Sequence, residues 1–206
     1  MNEPMTMSIH LRHKIGQGIS PRQFMEGMRS LEMKLSRIPN TKEQFRQVYD
    51  RFQWDDQEVQ RFFAERNQHG QLHCLILCTD WCPDVIWNVP VLFRVMEYSG
   101  IPTEVLIMEE HPETMDLFLT DGGRAQPIAL FLNASTGAVL GQWGARPAYI
   151  QNVMDEFKRN HADKQADSYQ ELLDQVYTRI GELYHDGNEY RKVMFQELKE
   201  RFTSFA

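Results

Sequence analysis

The sequence predicts an α/β fold: a central mixed β-sheet of about four strands flanked by helices, with helical extensions at both ends. Three observations predict it. The apolar run Cys74-Leu75-Ile76-Leu77-Cys78 is short enough for a buried strand and precedes a helix-like stretch, Asp84 to Tyr98. A second strand candidate, Thr103 to Met108, follows that helix, and parallel pairing is the default for such a strand–helix–strand unit. Two further apolar segments, Pro127 to Leu132 and Val139 to Trp143, are joined by Asn133-Ala134-Ser135-Thr136-Gly137, a polar link that reads as a hairpin.

Three zones follow along the chain. Residues 1–70 read as an N-terminal helical extension. Phe24, Met28, Leu31 and Leu35 recur at spacings of three and four, one face of a helix. Asn40-Thr41 interrupts, and Thr41 with Gln44 resembles a capping box ahead of Phe45, Val48, Tyr49 and Phe52. Asp55-Asp56 starts a third helix carrying Val59, Phe62 and Phe63. Residues 71–160 alternate strand and helix. Gly100 closes the first helix, Pro112 opens a short one reaching Thr120, and Arg146-Pro147 opens the last, with Ile150, Val153, Met154 and Phe157 inward. Residues 161–206 form a C-terminal helical extension expected to pack on the core. It begins with a polar linker, 161–167, and Ser168 with Glu171 makes a capping-box pattern. Tyr169, Leu172, Leu173, Val176, Ile180, Leu183 and Tyr184 form its stripe, Asp186-Gly187 ends it, and Met194, Phe195, Leu198 and Phe202 mark a further helix.

Composition narrows the function classes. At 206 residues, one core domain with extensions fits better than two full domains, and 42% apolar content supplies a sizeable core. A net charge of −7 argues against nucleic acid or an anionic membrane surface as the main partner. Met1 to Ser20 has no apolar stretch fit for a signal peptide, and no window approaches a membrane span. A cytoplasmic address is therefore expected. Three cysteines within nine residues do not make a disulfide framework. The sequon Asn133-Ala134-Ser135 carries no meaning at such an address.

Cys82 is the candidate catalytic residue. It stands between a buried strand and a helix N-terminus, where unpaired backbone N–H groups and the helix dipole favour the thiolate. The bland alternative is a leftover small side chain. Cys74 reads as a small apolar strand residue. Cys78 is nearer the turn, but four residues of extended chain span about 13 Å, too far for a bond to Cys82 unless Thr79-Asp80 turns tightly. His73 and Cys74 point to opposite strand faces, and His10 and His13 lie near the terminus, so no metal site and no cofactor are expected.

Four marks then fall in order. Trp81-Cys82 matches the first half of a W-C-x-x-C motif. Pro90, eight residues after Cys82, matches a proline that kinks the following helix. Arg124-Ala125-Gln126-Pro127 resembles a loop leading into a cis-proline, and Gly141 to Gly144 the glycine-bearing end of a last strand. Together they resemble the thioredoxin superfamily over residues 71–160. The runs Asp121 to Pro127 and Leu140 to Pro147 further resemble a bacterial thioredoxin-like subfamily that carries W-C-x-D. Two departures stand out: Val85 occupies the place of the resolving cysteine, and Ile76 that of the aspartate thioredoxins bury. Asp84 adds a negative charge that should oppose ionisation of the thiol.

The resemblance implies a site around Cys82 with Trp81, Pro83, Gln126 and Pro127 binding substrate. Trp81 is read as a packing residue that shields the thiol. A cis Gln126–Pro127 bond would leave the Gln126 backbone exposed beside Cys82, where an extended peptide could pair in strand fashion. Arg124 reads as a surface ion-pair partner. Two functions stay open. One is a monothiol redox protein, forming a mixed disulfide at Cys82 that a low-molecular-weight thiol resolves. The other is an inactive module binding a protein or peptide in the same groove. Partners are a protein or peptide substrate or a small thiol, with no nucleic acid and no membrane. The aromatic stripes of the flanking helices read as core, or as a partner surface or lid over Cys82.

Overall fold

The computed structural model describes residues 9–161 and 163–205. The extensions and linker expected from the sequence also include residues 1–8, 162 and 206, which lie outside the described residues.

Four strands form one sheet: β1 (Leu72–Cys78), β2 (Thr103–Ile107), β3 (Ile128–Asn133) and β4 (Val139–Gly144). Their order is β2-β1-β3-β4, with β1 parallel to β2 and antiparallel to β3, and β3 antiparallel to β4. The sheet is therefore mixed, as the sequence predicts. β1 is central and buried at every position, which explains the apolar run from Cys74 to Cys78. Strand alternation divides its side chains between two cores. Cys74, Ile76 and Cys78 join the larger cluster with Phe93, Phe131, Ile150 and Leu198. Leu75 and Leu77 face Leu11, Met115 and Leu130.

The helices are α1 (Pro21–Gly27), α2 (Thr41–Asp50), α3 (Gln57–Ala64), α4 (Pro83–Tyr98), α5 (Pro112–Met115), α6 (Ala148–Asn160), α7 (Tyr169–His185) and α8 (Glu189–Thr203). α4 carries Pro90 inside it and is buried on nearly every face, because sheet and flanking helices surround it. All three zones feed one cluster. Phe24 and Phe45 meet Phe93 of α4 at 6.2 and 5.8 Å between ring centroids. Phe202 of α8 meets Phe63 of α3 at 5.7 Å and Phe131 of β3 at 4.6 Å. Among the described residues, no helix is long and apolar enough to cross a membrane.

Three local expectations need correction. The helix expected through Leu35 ends at Gly27. Glycine is a poor helix residue, and just beyond it Asp80 takes the Arg29 backbone N–H at 2.7 Å, together with the Arg29 guanidinium. Leu35 is left exposed. The cap of α2 is Asn40, whose side chain accepts from the Glu43 N–H at 3.1 Å. Thr41 is instead committed to the preceding loop: its hydroxyl accepts from Leu31 N–H at 3.1 Å and donates to the Arg29 carbonyl at 2.9 Å. Asn40→Ala should cost about 1 kcal/mol, measured by denaturant unfolding. Ser168 makes no capping bond, because its backbone (φ −84°, ψ −6°) is already helical rather than extended.

Candidate functional site

The site lies where the chain leaves the end of β1 and enters α4. Cys82 is the N-cap of α4 with extended backbone, and Pro83 occupies the first helical turn, where its missing N–H costs nothing. The thiol donates toward the Gln126 carbonyl at 3.6 Å and toward Asp84 Oδ2 at 4.0 Å. Backbone N–H groups of Val85 and Asp84, and the Arg146 guanidinium, favour the thiolate. Burial and the Asp84 charge oppose it and win, and the thiol is pushed up to about 12. The sequence-based expectation that the helix terminus would activate Cys82 is thus corrected: desolvation outweighs it in this state.

Asp84 is the centre of a buried polar network. It is 5% exposed, although it stands in the first turn of a helix. Arg146 Nη2 donates to Oδ2 at 2.7 Å, and the Tyr184 hydroxyl donates to Oδ1 at 2.7 Å. Asn88, one turn along α4, donates to the Tyr184 hydroxyl at 2.7 Å and to the Ala145 carbonyl at 3.2 Å. Tyr184 stacks on Trp87, with planes 3° apart. Burial raises the Asp84 carboxyl, and Arg146 and Tyr184 partly offset this. The pair Asp84 and Asn88, four apart in a stretch of α4 that is otherwise apolar up to Phe93, is the legible trace of this network. Arg146 and Tyr184 as its partners were missed.

The other expected site residues fall unevenly. The Gln126–Pro127 peptide bond is cis. Gln126 is nevertheless buried, so the expected exposed backbone beside Cys82 is not found. Its carbonyl faces the thiol, and its side-chain oxygen accepts from the Thr79 N–H at 2.7 Å, tying two loops together. Pro127 is buried and Pro83 is half-buried. Trp81 is 43% exposed beside the half-buried Cys82. Its indole N–H donates outward to Glu109 at 2.8 Å. Arg124 pairs with Asp116 at the surface at 2.7 Å. The three cysteines are free, and burial pushes the thiols of Cys74 and Cys78 up. Val85 and Ile76 are fully buried among apolar neighbours. Among the described residues, no three His, Cys, Asp or Glu side chains converge as metal ligands.

A family model described as Thioredoxin matches residues 28–158. No curated protein matches the chain. Among solved structures, a protein of unknown function from Pseudomonas aeruginosa is 14% identical, with 86% of this chain and 96% of that one covered at a TM-score of 0.54. An HIV epitope-scaffold is 15% identical over the same shares, with a TM-score of 0.53. At these identities the likeness carries the fold alone.

Proposed function

This chain belongs to the thioredoxin family, and on that premise we propose that it performs thiol–disulfide exchange through one thiol, Cys82. The Cys82 thiolate attacks a disulfide and forms a mixed disulfide, expelling the other half as a thiolate. A low-molecular-weight thiol then attacks the mixed disulfide and frees Cys82. The external thiol is required because position 85 holds a buried valine. The observation that carries this reading is the set of groups around the sulfur. Cys82 is the N-cap of α4, half-buried at the mouth of that helix, and the Gln126 carbonyl lies 3.6 Å from its sulfur. Trp81, Pro83, Gln126 and Pro127 border the approach in this reading, and the cytoplasm, where thiols stay reduced, is its compartment.

The test is incubation of the folded protein with glutathione disulfide, read by intact mass and peptide mapping. The expected product is one adduct on Cys82, absent in Cys82→Ser and released by reduced glutathione. If the folded chain takes up none at pH values up to about 9 while the urea-unfolded chain does, the reading is lost. That outcome would favour a second reading, a protein- or peptide-binding module without turnover. The upward shift of the Cys82 thiol and the apolar residue at position 85 support it.

A further inference from the structure

We propose that Asp84 is the proton acceptor for Cys82, and that Arg146 carries the charge balance as the proton moves. The inference deepens the exchange reading above and rests on it for its biological use. It begins with the thiol, which has one proton and two acceptors in reach: the Gln126 carbonyl at 3.6 Å and Asp84 Oδ2 at 4.0 Å. An amide carbonyl can hold that hydrogen bond but cannot take the proton. A carboxylate can do both.

The carboxylate is held for this task from both sides. Tyr184 donates to Oδ1 and Arg146 to Oδ2, each at 2.7 Å, while Asn88 holds the Tyr184 hydroxyl. The side chains of Asp84 and Arg146 are only 7% and 10% exposed. Arg146 Nε and Nη1 are buried and have no protein partner among the described residues. The guanidinium therefore has donor capacity left beyond its bond to Asp84. The groups facing the sulfur are Asp84 of α4, Arg146 of the loop before α6, Tyr177 of α7 and Cys78 of β1.

Charge accounting favours an internal transfer. Losing the Cys82 proton to solvent would leave two anions beside one cation in a desolvated site. Passing it to Asp84 keeps one anion and one cation, with the negative charge moved from carboxylate to sulfur. The step balances. Cys82–SH and Asp84 carboxylate become Cys82 thiolate and Asp84 carboxylic acid. The thiolate attacks one sulfur of a disulfide R–S–S–R′, forming Cys82–S–S–R as the S–S bond breaks. R′–S⁻ leaves and takes the proton from Asp84. When a small thiolate later resolves the mixed disulfide, Cys82 departs as the thiolate.

Alkylation of Cys82 by iodoacetamide, a neutral reagent, distinguishes this from a purely structural ion pair. Modification at Cys82 is followed site by site by mass spectrometry, with Cys82→Ser as control. The fraction of protein carrying thiolate and protonated carboxyl does not change with pH between the two macroscopic titrations. The wild-type rate should therefore show a flat limb between the carboxyl and thiol titrations, whereas in Asp84→Asn it should rise about tenfold per pH unit with no such limb. A wild-type rate that itself rises about tenfold per unit throughout, with no flat limb at any pH where the protein stays folded, overturns the proposal, and this holds even if Asp84→Asn does not fold. A flat limb without a glutathione adduct would sink the exchange reading and leave the proton relay standing. An adduct without a flat limb would do the reverse.

Discussion

Replacing Arg146 with methionine should destabilise the folded protein by about 3–5 kcal/mol at pH 7. The reason is the state in which it leaves Asp84. Arg146 Nη2 and Asp84 Oδ2 are 2.7 Å apart, with both side chains at or below 10% exposure, so water screens neither. Removing the cation strands a buried carboxylate held only by neutral donors, the Tyr184 hydroxyl at 2.7 Å and the Cys82 thiol at 4.0 Å, among the described residues. The loss should be read by urea unfolding, and the melting temperature should fall by roughly 6–20 °C. Its pH dependence has a definite sign. Burial already raises the Asp84 carboxyl, and loss of Arg146 raises it further. A group raised in the folded state contributes stability that is fully present below its unfolded value and is lost as pH climbs through the folded one. The defect should therefore be largest near neutrality and shrink as pH falls toward about 4, the unfolded value of an aspartate. The double variant Asp84→Asn with Arg146→Met should be less damaged than Arg146→Met alone, since it buries no charge. A single variant costing under about 1 kcal/mol would mean that the site is wetter than the structure shows.

Phe45→Ala should also cost about 3–5 kcal/mol, with a single unfolding transition retained. Phe45 belongs to α2, ahead of the strand-and-helix zone of residues 71–160 but within the residues that the family model matches. It is nonetheless fully buried, and its ring meets Phe24 at 5.9 Å and Phe93 of α4 at 5.8 Å. Since α4 also carries Cys82 at its N-cap, the substitution acts on the frame of the site. A cost below about 1 kcal/mol would show the N-terminal segment to be peripheral. Two transitions in the wild type would show that it folds separately.

Much of the central zone was legible because its signals are local. β1 reads as an apolar run from Cys74 to Cys78 because both its faces are covered. The polar link between β3 and β4 reads as a hairpin because turn residues are chosen by backbone conformation. What misled were residues whose roles are set by distant partners. Leu31 and Leu35 fit a helical period, yet Asp80 captures Arg29 and the helix stops. Trp81 reads as a packing residue, and its partner Glu109, 28 residues away, has no local signal. Gln126 looked like an exposed strand edge, yet Thr79 and Cys82 draw it inward.

By itself, then, the sequence determined the α/β architecture and put one cysteine at a helix N-terminus with valine where a second thiol would stand. Those features depend on side-chain periodicity and on residues within a turn of one another. Only the tertiary structure decided what that cysteine experiences. Arg146 and Tyr184 reach Asp84 from 62 and 100 residues away and create a buried charge beside the sulfur. Desolvation and Coulomb energy depend on distance in space, which no spacing along the chain encodes.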